Sequence, residues 1–123
     1  MPDDFDPVLD QATIESLMDS VGGDAEFLAA LIDTYVADAP QQLETLNASL
    51  AAGDVAGLVR PAHTLKSSSA SLGALVLAER CRQLELSANA GSLDGARESI
   101  EGIAGELVRV VAALEHTKQS FSS

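Results

Sequence analysis

Asp54-Val55-Ala56-Gly57-Leu58-Val59-Arg60-Pro61-Ala62-His63-Thr64-Leu65-Lys66-Ser67-Ser68-Ser69-Ala70-Ser71-Leu72-Gly73 carries the strongest structural signal in the chain. Leu58, Ala62, Leu65, Ser69 and Leu72 recur three or four residues apart. That spacing lines one face of an α-helix and does not fit the two-residue period of a strand. Asp54 is an N-cap by residue type, and Gly73 is the natural C-terminal stop. On such a helix His63 lies beside the apolar stripe, with Lys66 and Ser67 on its own face one turn further along. Pro61 interrupts the span: it denies the Gly57 carbonyl a partner and biases Arg60 away from helical geometry. The helix therefore kinks there, eased by Gly57, or restarts with Pro61 in its first turn.

The segments on either side read the same way. Asp10 caps a short first helix with Ile14, Leu17, Met18 and Val21 at helical spacing, ended by Gly22-Gly23. Asp24, with Glu26 in the first turn, opens a long helix whose stripe is Phe27, Leu28, Leu31, Ile32, Tyr35 and Val36, continued by Leu43, Leu46 and Leu50 up to Gly53. Pro40 lies inside it, and because the stripe resumes in phase, one bent helix is expected rather than two. Ala74 to Asn89 forms a further helix with Leu77, Cys81, Leu84 and Ala88 inward. Ser92 then caps the last one, with Asp94 in its first turn, and Ile100, Ile103, Ala104, Leu107, Val110, Val111 and Leu114 give the cleanest stripe. No strand signal and no internal repeat is present. Short connections favour antiparallel neighbours, so the expected fold is all-α: an antiparallel up-down four-helix bundle with a short extra N-terminal helix. Residues 1–9 are expected as an extended lead-in, 10–118 as the bundle, and 119–123 as a frayed tail.

Composition agrees. Hydrophobic residues make up 46% of the 123 but aromatics only 3%, a core of Leu, Ala, Val and Ile that suits helix-on-helix packing. There is no apolar run of membrane-spanning length and no signal-peptide pattern at the N-terminus, and the lone Cys81 has no partner for a disulfide or zinc site. A cytoplasmic protein is expected. The net charge of −12 argues against a nucleic-acid backbone as partner. That charge is uneven: residues 1–59 hold twelve Asp or Glu and no Lys or Arg, whereas Arg60, Lys66, Arg80 and Arg82 cluster around His63.

Two distant histidines and one cysteine supply no metal-ligand set, and no glycine-rich phosphate loop is present. The run Ser67-Ser68-Ser69 beside His63 suggests a nucleophile and base, but adjacent helical positions do not converge on one point and no oxyanion site is evident. His63 itself remains. Imidazole offers a neutral nitrogen nucleophile near pH 7. Lys66 at the next turn can neutralise an incoming phosphoryl group, and small Ser67 and Ala70 allow another protein to approach. His116, after the last apolar residue of the final helix, is read as structural.

Ala62-His63-Thr64-Leu65-Lys66-Ser67-Ser68-Ser69 followed by Leu72-Gly73-Ala74 resembles the signature of histidine-containing phosphotransfer (HPt) domains of two-component relays. The His, the Lys at plus three and the Gly at plus ten match, and the likeness extends over roughly residues 10–117. The family usually has glycine at plus four, where this chain has Ser67. The resemblance implies a helical bundle whose surface histidine, His63, takes a phosphoryl group from one receiver-domain aspartate and passes it to another. It implies a phosphocarrier rather than an enzyme, without a cofactor of its own, the Mg²⁺ belonging to the receiver. It also places Glu85, on the following helix, as the support for the second ring nitrogen of His63. Val59, Arg60, Ser67, Ala70 and Arg82 would form the docking surface, and the partners would be response-regulator receiver domains and a (hybrid) histidine kinase, with this chain a monomer. Three alternatives stay open: a helical adaptor that is never phosphorylated, the phosphoacceptor domain of a larger histidine kinase, and an esterase-like enzyme using the serines. The initial Met and the lack of an ATP-binding segment argue against the kinase reading, and the esterase reading requires a pocket.

Overall fold

The computed structural model describes residues 8–122, and within them every regular element is helical. In order these are α1 (Gln11–Ser20), α2 (Ala25–Ala51), a single 3₁₀ turn (Ala56–Leu58), α3 (Val59–Ser71), α4 (Leu75–Asn89) and α5 (Ala96–Ser122). Helices α2 to α5 form the bundle. Tyr35 of α2 meets Ser69 of α3 while Ser49 of α2 approaches Gly57, so α2 and α3 run antiparallel. Asp33 pairs with Lys118 while Pro40 and Leu43 lie against Ala104 to Val111, which makes α5 antiparallel to α2 as well. The short Gly73 connection turns α4 back along α3.

The core is aliphatic, with Leu28, Ile32, Leu46, Leu58, Leu65, Leu77, Leu84, Ile103, Val110 and Leu114 among its fully buried side chains. Burying each such group stabilises the fold by about 1.5–3 kcal/mol relative to exposure. One polar contact crosses this interior. The Tyr35 hydroxyl and the fully buried Ser69 hydroxyl lie 2.8 Å apart, each giving the other the partner that burial demands.

Each connection has a local cause. Asp10 accepts from the Thr13 amide and hydroxyl, and Asp24 from the amides of Glu26 and Phe27, so both act as the expected N-caps. Gly73 adopts φ +82°, and a Cβ there would sit 3.0 Å from the Asp10 carbonyl oxygen. The Asp10 amide donates to the Gly73 carbonyl at 2.8 Å, so this glycine both ends α3 and seats the N-terminal segment. Leu9, assigned to the lead-in from sequence, is buried in the core, and the rest of that lead-in, residues 1–7, lies outside the described residues.

Several expectations need correction. Asp54 does not cap α3: its carboxylate accepts from the Gly57 amide at 3.0 Å in the 3₁₀ turn, whose N-cap position is Val55, and α3 starts only at Val59. Pro61 is thus a first-turn residue whose missing N–H leaves no bond unmade, and Arg60 is helical. Gly57 does not serve a kink. A Cβ there would lie 2.5 Å from the Asp54 carboxylate and 2.7 Å from the Ser49 hydroxyl, so a side chain at this position would push both groups aside. Phe27, placed in the α2 stripe from sequence, is 52% exposed, because Leu28 and Ile32 take the inward positions. Helix α2 is one helix through Pro40, as the in-phase stripe leads one to expect, and Pro40 lies at the exposed rim of its contact with α5. Ser92 accepts from the Asp94 amide in a turn before α5. The helix begins at Ala96 because Gly95, at φ +72°, interrupts the chain there, leaving Glu98 as the first-turn acid. Residues 119–122 are the last turn of α5 rather than a frayed tail, continuing beyond Lys118, which is tied to Asp33 at 2.7 Å.

Two predictions follow from the interior. Tyr35→Phe leaves the Ser69 hydroxyl buried without its partner and is expected to lower unfolding stability by about 1–2 kcal/mol, read from the urea midpoint at unchanged slope. Burial pushes both the Cys81 thiol and the Tyr35 hydroxyl up to about 12. Both groups keep their protons in the fold while the unfolded chain ionises at lower pH. Stability is therefore full below about pH 9 and falls as the pH rises towards 12. A flat urea midpoint over that range would contradict it.

Candidate functional site

His63 projects from the middle of α3, and the site around it spans two helices. On α3 the core-facing residues are Leu58, Ala62, Leu65 and Ser69, which turns His63 outward with its side chain 57% exposed. On α4 the inward residues Leu77, Cys81, Leu84 and Ala88 leave Glu85 at the seam with α3, its side chain 15% exposed. Small side chains at Ala62, Ala78, Cys81 and Ala88 allow the two helices to lie close together. This close packing brings Glu85 to His63.

The Glu85 carboxylate divides its two oxygens. Oε2 lies 2.9 Å from His63 Nδ1, and Oε1 lies 2.8 Å from Lys66 Nζ. The second contact is an ion pair without a well-directed hydrogen bond, and Lys66 is the ionic partner of this otherwise unsatisfied buried oxygen. The Lys66 ammonium, together with the hydrogen bond to His63, holds the Glu85 carboxyl below the usual carboxylate range against the opposing effect of burial. An ionised carboxylate only accepts, so Nδ1 of His63 carries the proton. Nε2 has no hydrogen-bond partner among the described residues, and the side chain that carries it is more than half exposed.

The surroundings divide into apolar and charged parts. Val59 and Ala70 are half-buried, and Arg60 and Ser67 are exposed, all on the His63 side of α3. Arg82 lies on the exposed side of α4, but it is engaged: its Nε and one terminal nitrogen donate to the two oxygens of Glu79 at 2.8 and 2.6 Å. Arg82 holds the Glu79 carboxyl down at about 2. Leu75, Val76 and Leu86 are exposed apolar residues on α4, Leu86 at 54%, and sequence reasoning had not singled them out for the surface. Leu75 and Leu86 fall with Arg82 on the flank of α4 beside Glu85 at helical spacing. The signal available in the sequence was their displacement from the stripe of Leu77, Cys81, Leu84 and Ala88.

The serines do not assemble a nucleophile. Ser68 donates to the Thr64 carbonyl, Ser71 to the Ser67 carbonyl, and Ser69 is paired with Tyr35 in the core. Arg80 lies against Gly102 of α5, away from the cluster to which the sequence had assigned it. Among the described residues no three His, Cys, Asp or Glu side chains come together as a metal-binding group. No described helix is long and apolar enough to cross a membrane.

On this helical bundle the exposed His63 imidazole has one ring nitrogen held by a carboxylate from the neighbouring helix, and the other makes no hydrogen bond among the described residues. The Hpt domain family model matches residues 30–118 of the chain. The structure is similar to the crystal structure of histidine-containing phosphotransfer protein B (HptB) from Pseudomonas aeruginosa PAO1, with a TM-score of 0.85 and 35% sequence identity over 94% of this chain and 97% of that one. A comparison with curated proteins finds no match. The chain belongs to the Hpt domain family, and its role is histidine phosphotransfer in two-component phosphorelay signalling.

Lys66 is the chief cause of the lowered Glu85 titration. In Lys66→Met the Glu85 carboxyl is expected to titrate at higher pH, followed by ¹³C NMR of the side-chain carboxyl. An unchanged titration would show that the ion pair does not form in solution.

Proposed function

We propose that this protein is a cytoplasmic phosphorelay intermediate that accepts a phosphoryl group on Nε2 of His63 from a receiver-domain aspartate and passes it to another receiver. The observation carrying this reading is the 2.9 Å contact of His63 Nδ1 with Glu85, which supports the tautomer that leaves Nε2 free to attack. Glu85 is then a positioning residue. Lys66 stands one turn from the ring and pairs with the phosphoryl oxygens, in addition to its contact with Glu85. The chain is a phosphocarrier: it supplies a positioned nucleophile, and the receiver supplies the acidic residues and the Mg²⁺ that neutralises the transferring group.

Docking uses the face that surrounds His63. Val59, Ser67 and Ala70 give a low, partly apolar surface on α3, and Arg60 and Arg82 form its charged rim. The acidic α1 and α2 carry none of the chain's basic residues, whereas Arg60 and Lys66 lie on the helix of His63 and Arg82 on the next one. A receiver domain reaching this face, in a response regulator or a hybrid histidine kinase, meets a monomer of this chain.

Incubation of the full chain with a phosphorylated receiver domain is expected to yield acid-labile, base-stable phosphate on the chain. His63→Gln is expected to abolish it, at least a hundredfold, with helicity and melting unchanged. Transfer that survives in His63→Gln overturns the assignment. Binding of the receiver without any phosphate on either variant supports the adaptor reading instead.

A further inference from the structure

The group that holds Nδ1 of His63 is a carboxylate rather than a neutral amide, and this bears on the phosphorylated ring more than on the free one. Building on the assignment of His63 as phosphoacceptor, we propose that the negative charge of Glu85 keeps a proton on Nδ1 of phosphorylated His63, so that the phosphoryl group is carried on an imidazolium and leaves from a neutral ring.

The electron count fixes what Glu85 has to do. The Nε2 lone pair forms the N–P bond while the P–O bond to the donor aspartate breaks, its electron pair departing with that carboxylate. No proton leaves the ring, which becomes a cation with its hydrogen still on Nδ1. In onward transfer the acceptor carboxylate attacks phosphorus, the N–P electron pair returns to Nε2, and neutral imidazole is released. If Nδ1 had lost its proton in between, the departing group would be imidazolate, a far poorer leaving group. Retention of one proton therefore sets how readily the phosphoryl group moves on.

The structure surrounds that proton with the charges needed to hold it. Glu85 Oε2 lies 2.9 Å from Nδ1, and at 15% side-chain exposure its interaction with the ring is screened less than a surface pair. On α3 the cations sharing the face are Arg60 and Lys66. Lys66 is bound to the other carboxylate oxygen at 2.8 Å, so the carboxylate stands between it and Nδ1. On α4 the charges are Glu85 itself and the Arg82–Glu79 pair, in which the guanidinium is met by both oxygens of its own carboxylate. Among the described residues, α2 and α5 place no carboxylate or cation in ion-pair contact with His63. The nearest charge to Nδ1 is negative, which favours the protonated ring.

Glu85→Gln separates charge from geometry, because glutamine still offers an oxygen to the Nδ1 hydrogen. The full chain, wild type and Glu85→Gln, is phosphorylated by the same receiver domain. The ring nitrogens of phosphorylated His63 are then titrated by ¹⁵N NMR, and single-turnover transfer to a receiver is timed from pH 6 to 9. The expected result is loss of the Nδ1 proton at a pH lower by a unit or more in the variant. Its transfer rate falls about tenfold relative to wild type at the alkaline end and converges with it at the acid end, where both rings are protonated. A variant that merely misplaces the ring slows transfer by the same factor at every pH. Coincident titration curves, or a pH-independent ratio of rates, overturn the proposal while leaving His63 as phosphoacceptor. Absence of phosphohistidine at position 63 in the wild type overturns both.

Discussion

The close contact between α3 and α4 is the constraint on which the rest depends. Ala62 on α3 and Ala78, Cys81 and Ala88 on α4 are small and buried, and Leu58, Leu65, Leu77 and Leu84 are buried with them. A wider seam would separate Glu85 from His63 beyond hydrogen-bond reach, and the imidazole would have no fixed tautomer. Gly73 belongs to the same constraint: its positive φ turns the chain tightly enough for α4 to return alongside α3, and the space over it is occupied by the Asp10 backbone. The seating of the N-terminal segment on that turn ties the first helix to the same pair.

From that seam outward the molecule grades from rigid to accessible. Tyr35 and Ser69 pin α3 to α2 by a hydrogen bond that neither group can exchange for water. The inner side of α3 is therefore held along its length, and only its outer side, with His63, Ser67 and Arg60, is open.

The charge distribution complements this layout. The acidic half of the chain lies in α1, α2 and the segments next to them, and the basic residues begin at Arg60, at the start of the helix that carries His63. Within that helix pair the charges are also matched locally: Lys66 to Glu85, and Arg82 to Glu79. These pairs offset one another locally around the imidazole, whereas the chain as a whole carries a charge of −12.

The sequence by itself determined the helices and the face of α3 on which His63 stands. Leucine and alanine spacing, capping aspartates and positive-φ glycines are local signals, and they located α1, α2 and α4 to within a residue or two. His63 and Lys66 were likewise legible, because three residues along one helix fixes a shared face, and the likeness to HPt sequences pointed to Glu85. Tertiary packing alone decided the rest. Whether Glu85 reaches the ring, that its other oxygen takes Lys66, and that Leu75 and Leu86 remain exposed depend on how α4 is rotated against α3, which no periodicity within one helix specifies. Gly57 shows the same boundary, since the space over it is taken by the Ser49 hydroxyl on another helix as well as by the nearby Asp54 carboxylate. At His63 the sequence placed the imidazole on the outer face of a helix, and the neighbouring helix decided which of its nitrogens is held by a carboxylate.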